Sequence, residues 1–325
     1  MRVEINPPDL DSEYLRCLNA CFPGWGDRQM AQWAFRRELA PDPMPDLMVL
    51  REENELLAGS AVSYRSIVLP NGSRVRAGIM TGSWTLPAAR GRGCFARIIE
   101  RSVAITRERG GALLLAFVTE DNPSCRQLLK AGATPVPTSY LFTDLDDSRP
   151  EDQAAPGLVI LKDAELSEAV ALWAKGHEGK CRFAYSSLED WKGQFIDRPG
   201  SVETVRNASG AFAVIDRNPT TDRILAWWAP SQTSALQLLN ELRAAALSKG
   251  RKLFTFSTDA AIAAQCEAMG FKRKPGYLTV MVTDWERLGR ALETTALREP
   301  DHHALLNPAS PWFAGEWDIQ SGDRM

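Results

Sequence analysis

The residues Arg90, Gly91, Arg92, Gly93, Cys94 and Phe95 lie between a strand-like run that stops at Pro87 and a long amphipathic run that starts at Cys94. A turn of this kind offers an anion two favourable contacts. The first amides of the helix have no intrahelical acceptor, and the macrodipole turns its positive end outward. Gly91 and Gly93 allow positive φ and close backbone approach, while Arg90 and Arg92 add charge. Binding of a phosphate or diphosphate is the chemistry that these residue types support.

Two common phosphate motifs do not fit. A P-loop needs Lys-Ser/Thr after its last glycine, and a dinucleotide fingerprint needs a third glycine with an acidic residue about 20 positions on. Cys94-Phe95 follows instead. The elements that must position the cradle can be read on either side. Residues 47–51, 56–64 and 76–86 have the pattern of a strand meander, broken at Glu53-Asn54 and at the hairpin signal Asn71-Gly72. After the helix through Arg109 and the Gly110-Gly111 break, residues 112–118 form an apolar strand. The loop Thr119-Glu120-Asp121 follows. Asn122 and Pro123 then open a second helix that ends at Gly132, with Asn122 as N-cap and Pro123 at the first helical position.

This combination resembles the GNAT acetyltransferase superfamily. Its acyl-CoA signature has an Arg or Gln, then Gly three residues later, then Gly or Ala two further on. Arg90 and Gly93 match, and Phe95 departs from the last position, which implies a differently shaped cradle there. The order strand with cradle, helix, strand, helix, strand is the family's, and the resemblance spans residues 1–145. It implies an α/β (α+β) fold with a mixed, mostly antiparallel central sheet flanked by helices.

Residues 247–285 lie beside residues 107–145 as an internal repeat. Gly250 answers Gly110, Phe256 answers Phe117, Gly270-Phe271 answers Gly132-Ala133, and residues 277–285 answer 140–145. Two GNAT-like domains in tandem are therefore expected: 1–146, a linker over 147–157, a degenerate second domain over 158–285, and a helix and tail over 286–325. Where the second repeat should have its cradle it runs Trp227-Trp228-Ala229-Pro230, without glycine or arginine. One cofactor site, in the first half, is expected. The 325-residue length suits two domains.

A hydrophobic fraction of 44% and a charged fraction of 24% are ordinary for a globular protein, and the net charge of −3 gives no reason to expect nucleic acid as a partner. No early apolar run or membrane-length stretch is present, so a cytoplasmic location and no membrane partner are expected. The six cysteines lack paired CxxC spacing and only three histidines exist, so no metal is expected. Cys94 and Cys125 lie near helix N-termini, which tends to lower a thiol pKa. His302-His303 belongs to a Pro-rich tail whose Trp312, Phe313 and Trp317 are expected to dock.

What the resemblance implies is direct acyl transfer from acetyl-CoA, or another acyl-CoA, to an amine of a small molecule, amino sugar or peptide. The diphosphate would meet Arg90, Gly91, Arg92, Gly93, Cys94 and Phe95. The pantetheine arm would lie between the strands near Thr85 and Phe117, with backbone donors at Ser83, Trp84, Thr85 and Leu86 for the thioester oxygen, and Asn122 would help hold the cofactor or its loop. Glu120 and Asp121 are the candidate bases. Leu128 stands where many family members carry a proton-donating tyrosine; Tyr140 on the next strand is the candidate substitute, with core packing as its other role and transfer without a proton donor as the alternative. Trp25, Trp33, Trp84, Trp227 and Trp228 are candidates for lining an acceptor pocket. Two other readings compete: a degenerate CoA-binding scaffold, and an aminoacyl-transferase of the peptidoglycan-bridge type, against which the intact cradle argues.

Overall fold

The computed structural model describes residues 1–37, 41–147, 157–292 and 317–324. In chain order the elements are β1 (Arg2–Ile5), α1 (Leu10–Cys21), α2 (Arg28–Arg36), β2 (Asp46–Glu52), β3 (Glu55–Val68), β4 (Arg74–Thr85), α3 (Cys94–Glu108), β5 (Leu113–Thr119), α4 (Pro123–Lys130) and β6 (Thr134–Phe142). The second half has β7 (Val159–Ile160), α5 (Asp163–Gly176), β8 (Arg182–Phe183), α6 (Leu188–Phe195), β9 (Ser201–Arg206), β10 (Phe212–Arg217), β11 (Thr221–Trp228), α7 (Gln232–Leu247), β12 (Lys252–Ser257), α8 (Ala260–Ala268), β13 (Lys272–Val282) and α9 (Trp285–Ala291). Most of the expected linker, and His302, His303, Trp312 and Phe313, lie outside the described residues.

The chain forms two compact units that do not follow a simple cut at the linker. Among the described residues, the first contains 1–136 together with 277–292, and the second contains 137–276 together with 317–323. The expected first domain, 1–146, includes β6. Instead, β13 neighbours β5 in the first unit, and β6 pairs antiparallel with β12 in the second, Ser139 opposite Ser257 and Phe142 opposite Phe254. The two repeats end in strands of the same kind, Tyr140-Leu141-Phe142 and Tyr277-Leu278-Thr279, so each can fill the other's place. Such an exchange of equivalent elements costs little, and an alternation pattern carries no record of it.

In the first unit the meander β1 to β4 is antiparallel and β4 then runs parallel to β5. One core lies between this sheet and α3 and α4, with Met48, Val62, Ile98, Ile99, Leu114 and Leu128 buried. A second core lies under α1 and α2, around Tyr14, Leu18, Trp33, Phe35 and Trp84. The helix α3 buries Cys94, Ile98, Ile99, Ser102, Ile105 and Thr106, a helical stripe that is worth about 2 kcal/mol for each large aliphatic side chain. It approaches β4 closely at Gly78, where a Cβ would come within 2.3 Å of the Thr106 hydroxyl.

A polar lock fixes the far end of α3. Buried Asp46 on β2 accepts from Arg109 Nε (2.9 Å) and Nη2 (2.8 Å), from the Tyr64 hydroxyl (2.7 Å) and from Asn6 Nδ2 (2.7 Å). Burial acts to raise the Asp46 pKa, but the hydrogen bonds from Arg109, Tyr64 and Asn6 outweigh it and hold the carboxyl below the usual range. The second unit repeats the plan around β9 to β12, with α7 and α8 on a core containing Leu141, Ile215, Leu238, Leu242 and Cys266, and a second core around Trp173, Trp191 and Phe195. Gly250 and Gly270 have positive φ (64° and 93°) like their counterparts Gly110 and Gly132 (77° and 91°).

Asp46→Ala leaves the Tyr64 hydroxyl and the Arg109 guanidinium without their buried acceptor, and should destabilise the protein by about 3 kcal/mol in urea unfolding. A carboxyl whose folded pKa is depressed contributes its full stability above the unfolded value of about 4, and loses it as pH falls through the folded value. The stability difference between wild type and Asp46→Asn should therefore shrink below about pH 4 when unfolding is followed across pH.

Candidate active site

The site is built where β4 and β5 part. Their parallel pairing runs from Ala77 opposite Leu113 to Met80 opposite Ala116 and then stops. On its other edge β4 stays paired with β3 to Thr85, with an irregularity between Gly59 and Ala61. Three steps along β4, from Thr81 to Trp84, face two along β3, so β4 carries a bulge, and Gly82 within it has φ 54°. Its carbonyl accepts from the Tyr14 hydroxyl at 2.8 Å. A bulge re-aims the strand beyond it, and here it turns residues 83–85 away from β5.

Which amides face the opening follows from strand alternation. The Leu86 N–H donates to the Leu57 carbonyl at 3.0 Å, so the Thr85 N–H points to the opposite edge, toward the opening. Leu86, expected as a donor, is committed to β3. Trp84 is likewise removed as a side-chain contact, because its indole is buried against Tyr14 and over Gly59, where a Cβ would come within 2.6 Å of the ring. The Ser83 hydroxyl is within 2.7 Å of the Ser60 hydroxyl.

The turn into α3 fits a diphosphate. Gly91 and Gly93 have φ 79° and 74°, and a Cβ at either would project into open space with no atom within 4 Å. Gly93 is the N-cap of α3 and no side chain caps it. The first backbone bond is Arg97 N–H to Gly93 O, which leaves the amides of Cys94, Phe95 and Ala96 without an intrahelical acceptor. Arg90 is exposed and forms no ion pair among the described residues. Arg92 differs from expectation, since its guanidinium pairs with Glu52, and that contact holds the Glu52 carboxyl below its usual range. Phe95 turns inward, half-buried against the α3 core.

The cysteines take no such role. Cys94 is buried, with its thiol 3.5 Å from the Ala89 carbonyl. Burial and then the charge of Glu120 push the Cys125 thiol up, opposite to the lowering that a helix N-terminus alone would bring. Among the described residues no cluster of three or more His, Cys, Asp or Glu could hold a metal, and no helix is long and apolar enough to cross a membrane.

At the end of β5, the Thr119 hydroxyl donates to Asp121 at 2.7 Å, and Asn122 caps α4 by accepting from the Ser124 N–H at 2.9 Å. Glu120 is exposed and accepts from the Tyr277 hydroxyl at 3.1 Å. Sequence reasoning missed Tyr277. Its counterpart Tyr140 belongs to the second unit, where it packs against Phe254 and Phe256. The repeat alignment already paired the two tyrosines, but their exchange between units is not written in it. Of the candidate pocket tryptophans, Trp25 stacks on Phe35, Trp33 is buried with Arg37 3.9 Å from its ring centre, and Trp227 and Trp228 belong to the second unit.

The second unit has the same divergence with a different filling. β11 and β12 pair in parallel only from Thr221 opposite Lys252 to Arg223 opposite Phe254. The C-terminal segment meets both opened ends: Gln320 Oε1 accepts from the Trp227 N–H at 3.2 Å, and the Thr258 hydroxyl donates to the Trp317 carbonyl. Asp318 pairs with His177, Gln194 donates to the Gly322 carbonyl at 2.6 Å, and Trp317 is buried as expected of a docked tail.

The site is thus a parallel strand pair that parts beside a glycine turn and a helix N-terminus that no side chain caps. Residues 8–121 match the family model of the acetyltransferase (GNAT) domain. Enzymes of that family use an acyl-CoA as cosubstrate. A search of curated proteins finds no match. Among solved structures, the chain is similar to a tandem GNAT protein from the clavulanic acid biosynthesis pathway (16% identity, 87% of this chain and 99% of that one, TM-score 0.62). It is also similar to a GCN5-related N-acetyltransferase from Anabaena variabilis (14%, 88% and 74%, 0.60) and to Saccharomyces cerevisiae N-myristoyltransferase solved with bound myristoyl-CoA (12%, 86% and 79%, 0.63). At these identities the likeness is one of fold.

Trp317→Ala should lower the stability of the second unit by about 3 kcal/mol, because it empties a buried aromatic site that the tail fills. Calorimetric unfolding compared with wild type checks this, and an unchanged profile would show that the tail contributes nothing to that unit.

Proposed function

We propose that the chain is a CoA-dependent N-acyltransferase, with acetyl-CoA as donor, that transfers the acyl group directly to an amine of a small molecule, amino sugar or peptide. The observation that carries this reading is the set of α3 amides behind Gly91 and Gly93, without intrahelical acceptors, that follows Arg90 and the strand β4, whose pairing with β5 stops at Met80. A diphosphate on those amides sets the pantetheine arm along that edge. There the Thr85 N–H is the donor for the thioester carbonyl as negative charge develops on it, a contribution of about 3 kcal/mol for one well-placed amide.

An amine enters as its ammonium form and needs a base. Glu120, exposed at the mouth of the divergence, is the carboxylate we assign to that proton. Asp121 is tied back by the Thr119 hydroxyl and orders the loop. Neither buried Cys94 nor Cys125 with its raised pKa supplies a thiolate, which favours direct transfer over an acyl-enzyme.

Isothermal titration should find one CoA site per chain. Arg90→Ala should weaken CoA by about tenfold, and Gly93→Val, which adds a side chain at φ 74° in the cradle, should weaken it by more. A thermal scan of each variant separates loss of binding from loss of fold. Absence of CoA affinity in the wild type, or equal affinity in all three proteins, would overturn the assignment. Tight CoA binding without acceptor-dependent thiol release from acetyl-CoA across an amine panel would identify a binding protein rather than an enzyme.

A further inference from the structure

Given the acyl-transfer reading on which it rests, we propose that Tyr277, which the second half of the chain supplies to the first unit, is the proton donor to the departing thiolate, with Glu120 as its proton partner. The helix α4 contains no tyrosine, and at the position where one would serve it has Leu128, which is buried. Of the first unit's three tyrosines, Tyr14 is buried with its hydroxyl on the Gly82 carbonyl, and Tyr64 is buried with its hydroxyl on Asp46. Tyr277 is the third. Its ring packs against the core that includes Val118, Cys125 and Leu128, and its hydroxyl reaches the exposed carboxylate of Glu120.

Register places it at the divergence. The Thr283 N–H donates to the Ala112 carbonyl and the Thr279 hydroxyl to the Ala116 carbonyl, so β13 runs antiparallel to β5 with Tyr277 beside Val118. Ala116 is the last residue of β5 that pairs with β4, which puts Tyr277 just past the point where the strands part. The groups facing its hydroxyl are Glu120 and Cys125. Burial first, and then the hydrogen bond and charge of Glu120, push the phenol pKa up, so that it holds its proton at neutral pH.

The ammonium first loses one proton through Glu120 to solvent, and from the free amine the step balances without any further reactant. The amine nitrogen forms a bond to the carbonyl carbon and the carbon–sulfur bond breaks. The phenol proton passes to sulfur, the proton shed by nitrogen passes to Glu120, and Glu120 returns it to the phenolate. One proton moves, in net, from nitrogen to sulfur.

Tyr277→Phe should keep its thermal midpoint and its CoA affinity within about twofold, while kcat with acetyl-CoA falls about a hundredfold. Two further readouts separate a proton donor from a merely structural residue. The thiol pKa of CoA in its binary complex, followed by thiolate absorbance, should rise by about one unit in the variant, because a hydrogen-bond donor to the thiolate is lost. The kcat deficit should also shrink with an S-acetyl aryl thiol donor, whose leaving group needs no proton. Glu120→Gln should slow transfer while preserving CoA binding. If the wild type binds no CoA, both this proposal and the reading it rests on fail. If CoA binds and Tyr277→Phe leaves kcat and the bound-thiol pKa unchanged, or lowers kcat equally for both donors, only the role of Tyr277 is overturned.

Discussion

Four rungs of parallel pairing between β4 and β5, ending at Met80 and Ala116, are the constraint on which the rest depends. Beyond them the facing edges of both strands carry backbone groups that need partners, since an unpaired amide or carbonyl shut away from water is costly. Water or a ligand with amides of its own can meet those groups. The pantetheine arm of an acyl-CoA has that character, and the second unit answers the same need with protein, where the Trp227 amide is met by Gln320 and the Thr258 hydroxyl by the Trp317 carbonyl. On the proposed function one geometry receives two fillings, and the difference lies in the turn that follows the strand. Arg90 to Gly93 carries two arginines and two glycines, whereas residues 229–234 carry neither.

A cradle is useful only if its helix is held. α3 is seated at its C-terminal end by the closeness of Thr106 to Gly78 and by the Asp46, Arg109 and Tyr64 cluster, and nearer the cradle by buried Ile98 and Ile99. The Gly82 bulge sets the direction of β4 just before the cradle, and the Tyr14 hydroxyl on its carbonyl ties that bulge to α1. The amides that open α3 are therefore prearranged by contacts on both faces of the sheet. Prearrangement of this kind is what allows backbone dipoles to stabilise charge without reorganising.

The placement of β13 beside β5 bears on the proposed chemistry. Each unit keeps a full sheet, yet the tyrosine that borders the first unit's divergence is encoded more than 130 residues away from β5 and α4. Tyr140, its counterpart, packs against Phe254 and Phe256 in the second unit. A tyrosine missing from α4 is thus offset by one from a strand that the repeat makes interchangeable.

The glycine turn before α3, the meander, α3, α4 and the tandem repeat were legible in the sequence because each rests on local rules: glycines where φ is positive, a Pro at the first turn of α4, an Asn cap, and apolar spacing of 2 or 3.6. The partnerships were not legible. Nothing local says that Leu86 gives its amide to Leu57, that Arg92 turns to Glu52, that Phe95 packs inward, or that burial raises rather than lowers the Cys125 pKa. The choice between Tyr140 and Tyr277 is the sharpest case. Both strands present the same pattern of residues, so local sequence made them equivalent. Only the pairing of whole sheets, which joins residues far apart in the chain, decided which of them stands beside β5.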